Sequence, residues 1–242
     1  IARAREPTPW AFVVRGGGPG VHFVIYQRRE MQVFFDDWTA AIVFSHLYLP
    51  YVDSRDAWLS EGVATYYQNV VRARSGRLTA QQAWSELHAG FGRGRSEARN
   101  VTLEEATQRM YRSRFFMRVY WSGTAIAMLA DIRLRQISNG TQSLDTALAA
   151  LNECCMDTQR KWRARELFAR LDELTQTTVF GGLYEEHVDS TRFPDLSDAY
   201  GELGLVPAGR RSVSLSNDAP LAGLRDAIMS GKDSGLLQAS SE

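Results

Sequence analysis

The chain has 242 residues, 44% of them hydrophobic and 23% charged, enough for one large domain or two small ones with a proper core. Lysine plus arginine and aspartate plus glutamate number 28 each, so the formal net charge is zero. That excludes the basic surface which nucleic acid or an anionic membrane would reward, and no apolar run reaches the length of a membrane span.

Residues 1–35 read as a β-rich opening segment. No charged-then-apolar leader is present, and "IARAREPTPWAFVV" reads as a start inside a longer or processed protein. "WAFVV", "VHFVIYQ" and "MQVFF" are short β-branched and aromatic runs, each expected to form a strand. "RGGGPG" between the first two lacks the Gly-Lys-Ser/Thr ending of a phosphate loop and precedes a strand, so it reads as a tight turn.

Residues 36–205 read as a helical body. Asp36 or Asp37 can cap a helix running through "WTAAIVFSHLYL" to Pro50; being apolar nearly all round, it is expected in the middle of the domain. A second helix covers "AWLSEGVATYYQNVVRARSG", with arginines in its last turn and Gly76 at its end. Thr79 caps a third, over "TAQQAWSELHAGF". A long fourth, "FFMRVYWSGTAIAMLADIRLRQISNG", closes at Asn139-Gly140; Ser143 caps the next, and "KWRARELFARLDELT" follows as an amphipathic helix. Cys154 and Cys155 read as two half-buried thiols in a helix, because sequence neighbours rarely bridge and the pair lacks metal-ligand spacing. Residues 206–242, rich in Ser, Gly and Asp, read as a loosely structured tail. The fold class is α+β, mainly α.

One stretch carries the functional question. In zinc peptidases of the H-E-x-x-H kind, two histidines four residues apart share one helix face and one tetrahedral ion. The glutamate beside the first histidine takes a proton from the metal-bound water. Here "IVFSH" places His46 at the second histidine, but Ile42 and Val43 stand where the first histidine and the glutamate would be.

Four further stretches carry a resemblance. "WLSEGVATYY", "VYWSGTAIAMLADIRLR", "NGTQSLDTALAAL" and "FPDLSDAYGELGL" follow in order, and with His46 the chain from about Asp36 to Leu205 resembles the gluzincin metallopeptidases, nearest the glycyl aminopeptidase-like family. The resemblance implies a thermolysin-like catalytic domain with a small N-terminal β portion. It implies His46 and Glu61 as remnant zinc ligands, the third being absent at Ile42. It gives Tyr120 the position that donates a hydrogen bond to the tetrahedral intermediate, with no base at Val43. Zinc is the family's cofactor, and the loss implies little or no zinc here. Exported or periplasmic bacterial location follows from the same resemblance alone.

Each residue also has a plain reading. His46 on an apolar helix can be a core histidine, Glu61 a first-turn carboxylate favoured by the helix dipole, and Tyr120 an ordinary core aromatic. His22, His88 and His187 have no helical partner at metal spacing, and the arginines of "RSGR" and "GRGRSEAR" read as solvated loop charges. With the base and one ligand gone, His46 and Glu61 are expected to satisfy each other by a charge-assisted hydrogen bond. The leading expectation is a domain that has lost hydrolysis and binds a peptide or protein partner. The alternative is an active zinc aminopeptidase that hydrolyses peptide bonds.

Overall fold

A computed structural model describes residues 6–15, 19–157 and 159–231. It is mainly helical, with two small antiparallel sheets. No helix among the described residues is long and apolar enough to cross a membrane.

Strands β1 (Trp10–Val14) and β2 (Gly20–Val24) pair antiparallel, Phe12 opposite His22. The turn expected over "RGGGPG" centres on residues 16–18, outside the described residues. The third expected strand is instead a short helix, α1 (Met31–Asp36). No described strand pairs with it, and Gln32 Nε2 donates to Asp36 Oδ1 at 3.1 Å across one helical turn. Its apolar side chains find no core, and Phe35 lies under the Arg77 guanidinium.

Helix α2 (Thr39–Ser45) is shorter and less central than its composition suggests. Asp37 Oδ1 accepts from the Thr39 amide at 3.0 Å and from its hydroxyl at 2.8 Å, which starts the helix. The chain then tightens into a 3-10 turn at His46–Tyr48, and Leu49 goes extended because Pro50 follows. One side of α2 is buried, through Ile42, Val43 and Ser45; on the other, Phe44 is 53% and Trp38 39% exposed. Those two exposures put α2 at the margin of the domain, not in its middle.

The centre is the crossing of α3 (Ala57–Arg74) and α7 (Phe116–Ile137). Gly62 and Gly123 meet there backbone to backbone; a methyl on Gly62 would overlap the Gly123 main chain, and one on Gly123 the Trp58 carbonyl. Thr124 Oγ1 reaches across to the Gly62 carbonyl at 3.3 Å while donating to Tyr120 O at 2.8 Å. Helix α4 (Ala80–Ser96) packs on this pair through Trp84, Leu87 and Phe91, its first turn closed by the Thr79–Gln82 capping box. Two short helices, α5 (Leu103–Gln108) and α6 (Met110–Ser113), lead into α7, which ends where Asn139 and Gly140 turn left-handed.

Ser143 caps α8 (Leu144–Cys155), and α9 (Ala164–Thr175) and α10 (Val179–His187) complete the apolar shell with Phe168 and Phe180. The expectation of free thiols is corrected: Cys154 and Cys155 are joined by a disulfide at the end of α8.

The chain beyond α11 (Ser197–Leu203) is ordered through Gly231, unlike the loose tail its composition suggests. Strands β3 (Leu205–Pro207) and β4 (Val213–Leu215) form a hairpin, and α12 (Ala222–Ser230) follows. Leu205, Val213, Ile228 and Met229 enter the main core. The buried Arg225 guanidinium donates to the Leu203 and Ser216 carbonyls and to Asn217 Oδ1, tying α12 to α11 and the connecting loop. Polar side chains hid this segment's few well-placed apolar anchors. Residues 232–242 lie outside the described residues.

Because the α3–α7 crossing leaves no space for a methyl, Gly123→Ala is expected to destabilise the fold by about 1–3 kcal/mol, the usual cost of overpacking. Urea unfolding read by circular dichroism measures it, and an unchanged midpoint would refute the close approach.

Candidate functional site

Three elements bring the sequence-selected residues together. His46 closes α2, Glu61 lies in the second turn of α3, and Tyr120 lies in the second turn of α7. The glycine crossing sets two of them, since Glu61 precedes Gly62 and Tyr120 lies one helical turn before Gly123. His46 Nε2 is 3.6 Å from Glu61 Oε2, each side chain about a fifth exposed.

The expected charge-assisted bond between them is not what forms. Burial raises the Glu61 carboxyl to about 7, and a hydrogen bond from Tyr120 holds it down only in part. Burial lowers the His46 imidazole to about 4, and the nearby Arg15 charge lowers it further. At neutral pH the buried imidazole is therefore uncharged, and a separation of 3.6 Å lies beyond hydrogen-bond distance. Glu61 satisfies itself on the Tyr120 hydroxyl instead.

Arg15 escaped the sequence reading. From the end of β1 its Nη2 donates to the His46 carbonyl oxygen at 2.6 Å, closing the C-terminus of α2. Burial lowers the guanidinium's pKa. Thirty-one residues and a hairpin separate the partners, and no local pattern announces such a contact.

Ile42 and Val43 form a small apolar cluster with Ala64 of α3, covered by Ala11, Val13, Val21 and Phe23 of the hairpin. His46 and Glu61 are thus the two donors at this place, whereas a catalytic zinc centre needs three protein ligands and an open position. Among the described residues no three His, Cys, Asp or Glu side chains are grouped to hold a metal ion. The residues present do not fit a catalytic zinc ion. The other histidines stay apart: His22 stacks on Phe12, His88 bonds Tyr200 and the Gly209 carbonyl, and His187 is buried at the end of α10.

Beside this place the surface is aromatic. Phe44, Tyr48 and Tyr51 are all exposed, and Tyr48 meets Tyr67 edge-on at 4.8 Å between ring centres. These two tyrosines border a cleft of about 470 Å3, closed by Leu47, Asp145, Leu148 and Asn152. The sequence reading missed the cleft because its walls come from three segments separated in the chain.

The family profile of the M61 glycyl aminopeptidases matches residues 44–126, from the last residues of α2 to the middle of α7. The match supports a peptidase-like domain and contains His46, Glu61 and Tyr120. No curated protein matches the chain.

The opposite shifts of Glu61 and His46 give a sign that can be measured. Glu61 binds a proton more tightly in the folded state, so its contribution to stability is full below about pH 4.5 and is lost as pH rises through about 7. Relative to wild type, Glu61→Gln should therefore gain stability across that window, by about 1.4 kcal/mol per pH unit at most. Denaturant unfolding at a series of pH values reads the difference. A flat difference, or one falling with pH, contradicts the buried neutral carboxyl.

Proposed function

We propose that this chain is a gluzincin-type, glycyl aminopeptidase-like domain that has lost hydrolysis and now binds a peptide or a protein partner. The carrying observation is the pair Ile42 and Val43, packed beneath the β1–β2 hairpin where the first zinc histidine and the catalytic glutamate of such enzymes would stand. Neither side chain has a lone pair, so neither can ligate a metal or accept the proton of a nucleophilic water. On this reading His46 and Glu61 are remnant ligands, Tyr120 keeps an inherited position, and the domain needs no zinc to fold. The M61 profile match over residues 44–126 supports the peptidase ancestry, and the exposed aromatics with the Tyr48–Tyr67 cleft supply an apolar surface suited to a polypeptide. A thermolysin-like fold, and a place outside the bacterial cytoplasm, belong to the same proposal through the family resemblance.

The second reading, an active zinc aminopeptidase, draws on the same profile match, which is to a peptidase family. Metal analysis of protein purified without chelator, with an assay on peptides bearing an N-terminal glycine, separates the two. Little or no zinc and no zinc-dependent hydrolysis are expected; stoichiometric zinc with turnover would establish the second.

The double variant Ile42→His with Val43→Glu gives a stability readout as well. It removes two buried apolar side chains, worth roughly 1.5–3 kcal/mol each, and places polar groups beneath the hairpin. Metal-free, it should unfold at clearly lower denaturant than wild type. Added zinc should restore part of the loss, because a ligand that binds only the folded state stabilises it. A double variant as stable as wild type, or indifferent to zinc, would count against the inherited site.

A further inference from the structure

Helix α8 ends on the disulfide between Cys154 and Cys155. Their Cα atoms are 3.7 Å apart, as adjacency across one trans peptide dictates, whereas ordinary disulfides span about 4.4–6.8 Å. Two neighbours can close the bond only inside a small ring that includes their own peptide unit, and that constraint lapses once the bond opens. Constrained or exposed disulfides are the labile ones, while those that serve only as staples resist small thiols. This pair closes no loop of the chain at all, so it removes almost no entropy from the unfolded state and has little value as a staple.

The two sulfurs are also unequally placed. Cys154 is exposed on a turn with exposed Asn152 and Glu153, while Cys155 is 7% exposed and belongs to the main core with Leu151. An incoming thiolate therefore meets Cys154 first. We propose that Cys154–Cys155 is a thiol–disulfide exchange site for small thiols of the glutathione class, entered through Cys154.

The step balances as follows. A small-molecule thiolate attacks Cys154 Sγ, and a new S–S bond forms as the Cys154–Cys155 bond breaks. The bonding pair leaves on Cys155 Sγ, which takes up a proton. A second small thiol attacks the outer sulfur of the mixed disulfide and releases the oxidised small-molecule disulfide. Cys154 and Cys155 are then both reduced, two small thiols having been oxidised to one disulfide. The freed Cys155 thiol stays at the buried end of α8. Its return attack on a Cys154 mixed disulfide, one residue away, is intramolecular and closes the ring again.

The test uses the whole chain in graded mixtures of reduced and oxidised glutathione, quenched with an alkylating agent and read by intact mass. The pair should pass reversibly from disulfide to doubly alkylated dithiol within the range of those mixtures. Two results would overturn the proposal: a disulfide untouched at the reducing end, or thiols that stay free at the oxidising end. Single variants then check the point of attack. With oxidised glutathione, Cys155→Ser should accumulate a glutathione adduct on Cys154, while Cys154→Ser should leave Cys155 unmodified. Equal modification of the two variants would overturn Cys154 as the point of attack.

Discussion

The backbone contact between Gly62 and Gly123 is the constraint on which the rest of this molecule depends. It lets α3 and α7 approach more closely than any side chain would permit, and the buried faces of both helices form the middle of the core. The same contact fixes the candidate site, because Glu61 precedes one glycine and Tyr120 lies a turn before the other. The carboxyl and the phenol hydroxyl meet because the helices beneath them touch. Core packing and site geometry are here one fact, and loosening the crossing would disturb both.

Away from the crossing, α3 is held at each end by charge. At its start, Asp56 accepts from the Arg163 guanidinium and the Ala164 amide, while the backbone of Trp162 pairs with Tyr51 and Asp53. The segment between His46 and Glu61 is thereby clasped to the start of α9. At its other end, Tyr66 donates to Asp131 at 2.8 Å, Tyr67 to Asp145 at 2.8 Å, and Arg74 to both oxygens of Asp145. Arg135 bridges the two aspartates, and Arg74 also reaches the Ile228 carbonyl of α12. Such networks add little net stability compared with a packed apolar core, but each member is indispensable once buried, since losing one strands its partners. They fix the angle and register of α3 against α7, α8 and α12, and a site made of one residue per helix requires that.

Much of this was legible in the chain. The capping residues Thr79 and Ser143, the stop at Gly76 and the left-handed close at Asn139-Gly140 are local signals, and all four act where the residue types say. The meeting of His46, Glu61 and Tyr120 came from motif order, which reports ancestry and so conveys non-local geometry. What failed was whatever depends on a partner far along the chain. "MQVFF" is a β-branched and aromatic run like that of a strand, but no described strand pairs with it and the helix-compatible Met and Gln prevail. Composition makes α2 look central, yet Phe44 meets only the edge of the hairpin through Phe23 and stays 53% exposed among the described residues. The tail's anchors, Val213, Ile228 and Met229, are too sparse to stand out from the serines around them. Arg15 and the shifted states of His46 and Glu61 depend on desolvation, which no residue carries by itself.

The apolar pair at positions 42 and 43 also bears on how the hairpin is held. In a working zinc site, a histidine and a glutamate there would face water, metal and substrate, and the space before them would have to stay open. Here Ile42 and Val43 draw the hairpin down through Val13, Val21 and Phe23, and that contact is part of what holds two isolated strands against the body. A two-stranded hairpin is marginal alone, so its few apolar contacts with α2 and α3 matter to whether it stays in place. Arg15, carried on the same hairpin, then reaches the His46 carbonyl and leaves its charge beside the imidazole, which further discourages protonation there. On the proposed reading, lost chemistry has become structural: the residues that replaced ligand and base now seat the element that covers them. Restoring two side chains would restore donors, but the hairpin would still have to be held by something else.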